Sequence, residues 1–275
     1  MNSARAMQAT TPAVPMVTSS RVAEIWSRLG AISDPELDES VTELGFVTAV
    51  EVDGGCVSIG FRLPTYWCAA NFAYMMADDM RRAINGLPWV TNIAIVLDEH
   101  MYAAEISRGV AAGRTFQQTF GGEANGELED IRRTFLVKGF QRRQLALLSW
   151  LLELGCEPAM LVRLNITQLA ALADTSADDG KARLLVARYR ERRFVVGPCI
   201  DEAQQGEAPA FVDAEGEPLD ADQLHAYLRA LRRVGVNAEF NGALCRGLLA
   251  ARYGAGSSQA PEVEIKPVHF VRTIG

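Results

Sequence analysis

Phe61-Arg62-Leu63-Pro64-Thr65-Tyr66-Trp67-Cys68-Ala69-Ala70 is where an alternating strand pattern stops and a helical pattern starts, with one cysteine at the junction. Before it, Val57, Ile59, Phe61 and Leu63 recur at every second residue, which predicts one buried strand face. After it, Phe72, Met76, Met80 and Ile84 mark one helical face, with Asp78, Asp79, Arg81 and Arg82 mainly on the solvated side. The Met-rich stripe reads as core rather than as a cofactor site. A cysteine at a helix start lies beside unpaired backbone N–H groups and the positive end of the helix dipole, which favour thiolate character. A thiolate attacks or binds metal. The competing reading of Cys68 is a buried small hydrophobe ending a strand, and the neighbouring residues decide between them.

Upstream, Val22, Ile25, Trp26, Leu29 and Ile32 predict an amphipathic helix, with Ser19 or Ser20 available as its N-cap. Asp34-Pro35-Glu36 then forces a turn, because proline disfavours helix at the residue before it, and two carboxylates arrive together in a loop. Leu44–Val52 and Cys56–Leu63 alternate around Asp53-Gly54, a hairpin signal. Gly86 and Pro88 stop the second helix, and the β-branched run from Trp89 to Leu97 supplies a third strand. The order helix, strand, strand, helix, strand predicts an α+β domain over 20–107, one sheet with helices against it and strand-end loops gathered over one edge.

These residues carry a resemblance. Asp34-Pro35-Glu36, Ser40-Val41, Leu44-Gly45-Phe46-Val47, a hairpin, and Thr65 three residues before Cys68 resemble the MIP18 family, whose pattern is a D-P-E turn, an S-I/V step, L-G-L/F-V, a T-x-x-C junction and a closing V-x-V strand. The resemblance covers 20–107, less than half of the chain. It implies a small factor in iron–sulfur cluster assembly or transfer, with forms associated with the maturation of oxygenase components. Cys68 takes the place of the family's functional cysteine, Thr65 the preceding threonine, and Asp34 and Glu36 the acidic turn. The chain departs from the pattern in two places. Ala69 stands where bacterial relatives have proline, and Asp98-Glu99-His100-Met101 stands where they have D-P-P-W. Asp98 is kept. If the third strand lies beside the second, Cys68, His100, Asp98 and Glu99 reach one sheet edge, giving thiolate, imidazole and carboxylate, ligand types suited to iron or zinc.

Composition narrows the function. Of 275 residues, 49% are hydrophobic, enough for two cores. Residues 1–105 hold 6 Lys/Arg against 13 Asp/Glu, whereas 106–275 hold 21 of each. An acidic first domain repels phosphate backbones, which argues against nucleic acid and anionic membranes there. No run of about 18 apolar residues exists to span a membrane. Residues 1–19, with one arginine and no continuous apolar stretch, read as a disordered leader rather than a signal peptide. Cys56, Cys68, Cys156, Cys199 and Cys245 form no C-x-x-C pair, which argues against a disulfide framework and predicts a reducing cytoplasm.

Gly109, Gly113 and Gly121-Gly122 suggest a linker over 108–127, followed by a mainly α-helical domain over 128–254. Its expected elements are a helix from Leu128 to Gly155, one from Pro158 through Leu172, one from Asp179 to Arg193, a short strand over Phe194–Ile200, a helix started by Asp220 and Gln223 and ending near Gly235, and a last helix capped by Asn241. In the tail, 255–275, Val263, Ile265, Val268 and Phe270 suggest an edge strand.

Three function classes follow. The first is a non-enzymatic maturation factor that carries iron or an iron–sulfur cluster, transiently bound, at Cys68 and delivers it to a client metalloenzyme, such as a multicomponent oxygenase, or to other assembly factors. Because cluster irons need several ligands, a single thiol per chain implies bridging to the client or across a homodimer. The second is a hydrolase or transferase with Cys68 as nucleophile and His100 as base. The third is a DNA-binding regulator, since residues 167–193 read as helix-turn-helix with Lys181, Arg183, Arg188, Arg190, Arg192 and Arg193 on the second helix. The turn between those helices carries three acidic residues where phosphates would approach. This favours an acidic protein partner, or the acidic first domain, for these arginines and for Arg132, Arg133, Lys138, Arg142 and Arg143.

Overall fold

A computed structural model describes residues 16–121, 128–175 and 179–254. Helix α1 (Met16–Gly30) buries Val22, Ile25 and Leu29. It starts inside the expected leader, so Ser19 and Ser20 are helical rather than capping residues, and 1–15 lie outside the described residues. Strands β1 (Val47–Asp53) and β2 (Cys56–Arg62) form the expected antiparallel hairpin, with Val50 opposite Ile59 and Val52 opposite Val57. Helix α2 (Ala70–Asn85) then carries the chain back, so that β3 (Asn92–Asp98) runs parallel to β2 from Cys56 opposite Asn92 to Arg62 opposite Asp98. Parallel strands need such a crossover, and the crossover decides the site. The loops after β2 and after β3 leave the same end of the sheet, whose order is β1-β2-β3.

The alternation read in β2 is the burial pattern: Val57, Ile59, Phe61 and Leu63 are buried against Met76, Met80 and Ile84 of α2. Met75 is also buried, although it is not part of that cluster. Asp78 departs from its expected solvated position. It is buried, and its two oxygens pair with Arg81 (3.0 Å) and Arg82 (2.7 Å) one turn on, so the charge goes in with its counterions.

The linker expected over 108–127 is folded in its described part. Helices α3 (Ala103–Ala111) and α4 (Phe116–Phe120) occupy it, and Ile106, Val110, Phe116 and Phe120 join the first core. Gly109 is there for close packing, since a Cβ at that position would collide with the Thr119 side chain.

A mostly helical region follows: α5 (Leu128–Glu153), α6 (Pro158–Leu161), α7 (Ile166–Asp174), α8 (Asp179–Arg193) and α9 (Leu224–Tyr253). Its own core gathers Phe140, Leu147, Leu151, Tyr189, Phe211 and Leu228. Four expectations are corrected. The helix from Pro158 stops after one turn, and α7 starts anew with a capping box between Asn165 and Gln168. Phe194–Ile200 is turn and bend rather than strand. Asp220 accepts from Asp222 N (2.7 Å) in a local turn instead of capping a helix. Gly235 does not end α9, which runs on through Asn241 as one helix, because its two halves are packed on different cores: Leu224, Leu228 and Leu231 on the second, Leu249 on the first. The tail strand lies outside the described residues.

The basic cluster on α5 meets the acidic first domain. Arg132 donates to Asp79 (2.7 Å), Arg142 to the Glu36 carbonyl (2.7 Å) and Arg143 to Asp38 (2.5 and 3.0 Å). From α8, Arg192 reaches Asp38 and Ser33, and buried Arg193 turns inward to the carbonyls of Pro209 and Ala210. Gly139 lets α5 approach, since a Cβ there would lie 3.0 Å from the Asp38 carboxyl carbon.

Candidate functional site

The site is the β2–α2 junction. Cys68 directly precedes Ala69, the N-cap of α2, and Ala69 makes no side-chain cap. The Ala69 φ of −57° is the value a proline ring imposes, so the chain keeps here the backbone that the family's proline would fix. Cys68 is half-buried, and Thr65 Oγ1 lies 3.1 Å from its Sγ. A hydroxyl at this distance donates to a thiolate or accepts from a thiol. The T-x-x-C spacing is thus a contact, made possible by the turn through Tyr66 and Trp67. Those two rings pack edge to face and point outward, Trp67 being 73% exposed. Met101, also exposed, is tied to them through its N–H to the Tyr66 carbonyl (2.9 Å).

His100 arrives from the loop after β3 and is only 4% exposed. Its Nδ1 accepts from the Tyr102 N–H (3.1 Å), which leaves the proton on Nε2, and Nε2 donates to the Cys68 carbonyl (2.9 Å). Both ring nitrogens are therefore engaged with backbone. The expected meeting of imidazole and thiol takes another form: His100 holds the main chain of Cys68, and its nitrogens are spent on that task rather than offered to a metal. The preceding residue shows why the loop differs from the family pattern. Glu99 has a φ of 49°, in the left-handed region that proline cannot enter, so D-P-P-W could not follow this path.

The two carboxylates after β3 separate. Asp98 stands opposite Arg62 in the parallel register and is exposed. Glu99 turns to α9, accepting from Arg252 Nη2 and Tyr253 Oη (both 2.8 Å), while the Arg62 guanidinium stacks 3.7 Å over the Tyr253 ring.

The Asp34-Pro35-Glu36 turn lies under the same helix. Asp34 Oδ1 accepts from the N–H groups of Glu36 (2.9 Å) and Leu37 (2.7 Å), closing an Asx turn. Burial raises its carboxyl to about 6, against those two bonds and the Arg142 charge, which lower it. Glu36 accepts from Asn241 Nδ2 of α9 (2.8 Å). One turn further along α9 stands Cys245. Burial, followed by the charges of Cys68, Asp34 and Glu36, pushes its thiol up to about 11. Sequence reading missed Cys245, because nothing local to the last helix shows that the face it shares with Asn241 and Leu249 packs on the first domain. Their spacing at i, i+4 and i+8 was the available signal.

Among the described residues, no group of three or more His, Cys, Asp and Glu side chains is gathered to hold a metal ion. What the chain offers is a half-buried thiol in contact with a hydroxyl.

Helix, hairpin, crossover helix and parallel strand define a small α+β domain with one cysteine at the β2–α2 junction. Residues 22–95 match the family model described as iron-sulfur cluster assembly protein, which supports a role in iron–sulfur cluster assembly in general. The match does not extend into the helical part. No curated protein and no solved structure matches the chain. None of the described helices is long and apolar enough to cross a membrane.

Proposed function

We propose that the chain is a non-enzymatic maturation factor whose N-terminal domain carries iron or an iron–sulfur cluster as cargo at Cys68 and passes it to a client metalloenzyme. The observation that carries this reading is the Thr65–Cys68 pair at 3.1 Å, set at the helix start and flanked by the exposed Tyr66 and Trp67. Cys68 is only half-buried, and the exposed aromatic pair beside it is the kind of surface on which a protein partner docks. A thiol suits iron and cluster sulfide chemistry. A multicomponent oxygenase is the client class that the family resemblance suggests, and the five free cysteines suit a reducing cytoplasm.

His100 supports the non-enzymatic reading, because its Nε2 is bound to the Cys68 carbonyl rather than aimed at the thiol, so this imidazole is not poised as a base on the sulfur. Arg192 and Arg193, held by Asp38, Ser33 and backbone carbonyls, are withdrawn from the basic face that DNA binding would use. The test is transfer. Wild-type and Cys68→Ser proteins, each supplied anaerobically with ferrous iron and sulfide, are mixed with the metal-free client. The wild type activates the client, and the variant leaves it at the level of iron and sulfide alone. Equal activation by both proteins contradicts the proposal.

A further inference from the structure

The second half of α9 is fastened across the mouth of the Cys68 junction at both ends. Asn241 holds Glu36 of the acidic turn (2.8 Å), and Leu249 is buried in the first domain's core. Beyond them, Arg252 reaches the Pro64 carbonyl (3.4 Å) and Glu99 (2.8 Å). Residues four apart on a helix share a face. Cys245 lies four after Asn241 and four before Leu249, so it faces the first domain between these two anchors, against the core on which Cys68 also packs.

We propose that Cys245 is the second thiol ligand of the Cys68 site, giving the chain a two-thiolate site for a thiophilic divalent cation such as ferrous iron. The proposal rests on the reading of Cys68 as a cargo thiol and adds the ligand that a single cysteine lacks. Cys68 comes from the β2–α2 junction and Cys245 from α9, so the helical part contributes directly to the metal chemistry of the N-terminal domain. On binding, each thiol forms a sulfur–metal bond and releases its proton to solvent, two protons per cation, with no change of oxidation state. Tetrahedral iron or a cluster needs further ligands, and these are left to sulfide, water or the client, which can then take the metal by ligand exchange. Handover requires α9 to shift or the client to approach past Trp67.

Cobalt(II) is the probe, because its sulfur-to-metal charge-transfer absorption in the near ultraviolet grows with the number of thiolates bound. The full-length wild type, Cys68→Ala, Cys245→Ala and the double variant are titrated anaerobically with cobalt(II). The double variant measures the background from Cys56, Cys156 and Cys199. Above that background, the wild type should give about twice the absorption of either single variant, one increment per thiolate ligand. Alanine keeps Cys245 small and apolar, and Cys245→Ser, which keeps a polar atom of similar size, guards against a packing artefact: both should lose the same increment. Wild-type absorption in both Cys245 variants overturns this proposal while leaving Cys68 in place, and the absence of charge-transfer absorption in the wild type overturns it too. Wild-type absorption in Cys68→Ala overturns the reading of Cys68 on which it rests.

Discussion

Asp34 is 8% exposed, and its carboxyl is held at about 6, against an ordinary value of 3.8. The first cause is loss of water, which two backbone N–H bonds do not make up. A carboxyl raised in the folded state favours folding only while protonated. Its contribution is complete below about pH 4 and is lost as pH rises through about 6, a loss of about 3 kcal/mol at neutral pH. Asn in its place accepts the same two N–H bonds and does not ionise. Asp34→Asn should therefore gain on the wild type between pH 4 and 7.5, by up to about 3 kcal/mol, in paired urea unfolding curves. A stability difference between the two proteins that does not change with pH contradicts this. The sequence placed Asp34 and Glu36 in a turn because proline leaves few choices there. It could not show that this turn would be buried beneath a helix more than 200 residues later, since nothing local to D-P-E encodes its cover. His100 is a similar case: the sequence placed it at the right end of the sheet, but its bond to the Cys68 carbonyl depends on the left-handed Glu99, which no periodicity reports.

The hairpin, the crossover helix and the third strand were legible because each buries one face at a strict period and ends at Gly or Pro. Glycine misled elsewhere. Gly109 and Gly235 look like breaks, yet both lie inside helices, Gly109 because Thr119 packs against it and Gly235 because α9 is held from both ends by different cores. The anchoring of α9 has a measurable consequence. Leu249 is 4% exposed, and Leu249→Ala removes the apolar anchor of the helix's second half, at a cost of about 3 kcal/mol. The loss should be local: amides from Asn241 to Tyr253 should exchange faster with deuterium, while those around Leu224–Leu231, seated in the second core, keep their protection. Equal loosening of both halves would mean that α9 moves as one unit.

On the scale of the whole molecule, two hydrophobic cores are joined by charge and by the helices α5 and α9, each of which packs on both. Asp38, buried with Arg143 and Arg192 around it, ties the acidic first domain to α5 and α8. The unequal charge of the two parts was visible in composition, and it finds its use at this boundary. The pairing itself was not visible, because it depends on the left-handed Asp38 and on the space left by Gly139. The arrangement sets the half-buried Cys68 in the part of the chain that matches an iron–sulfur cluster assembly model, with Thr65 on its sulfur and His100 on its carbonyl. The most direct test of that account is the iron retained per chain after anaerobic reconstitution with ferrous iron and sulfide and removal of unbound metal, compared between wild type and Cys68→Ser. The account predicts iron and sulfide bound to the wild type and lost from a Cys68→Ser protein that still unfolds at the wild-type temperature. Equal iron on both proteins would contradict it.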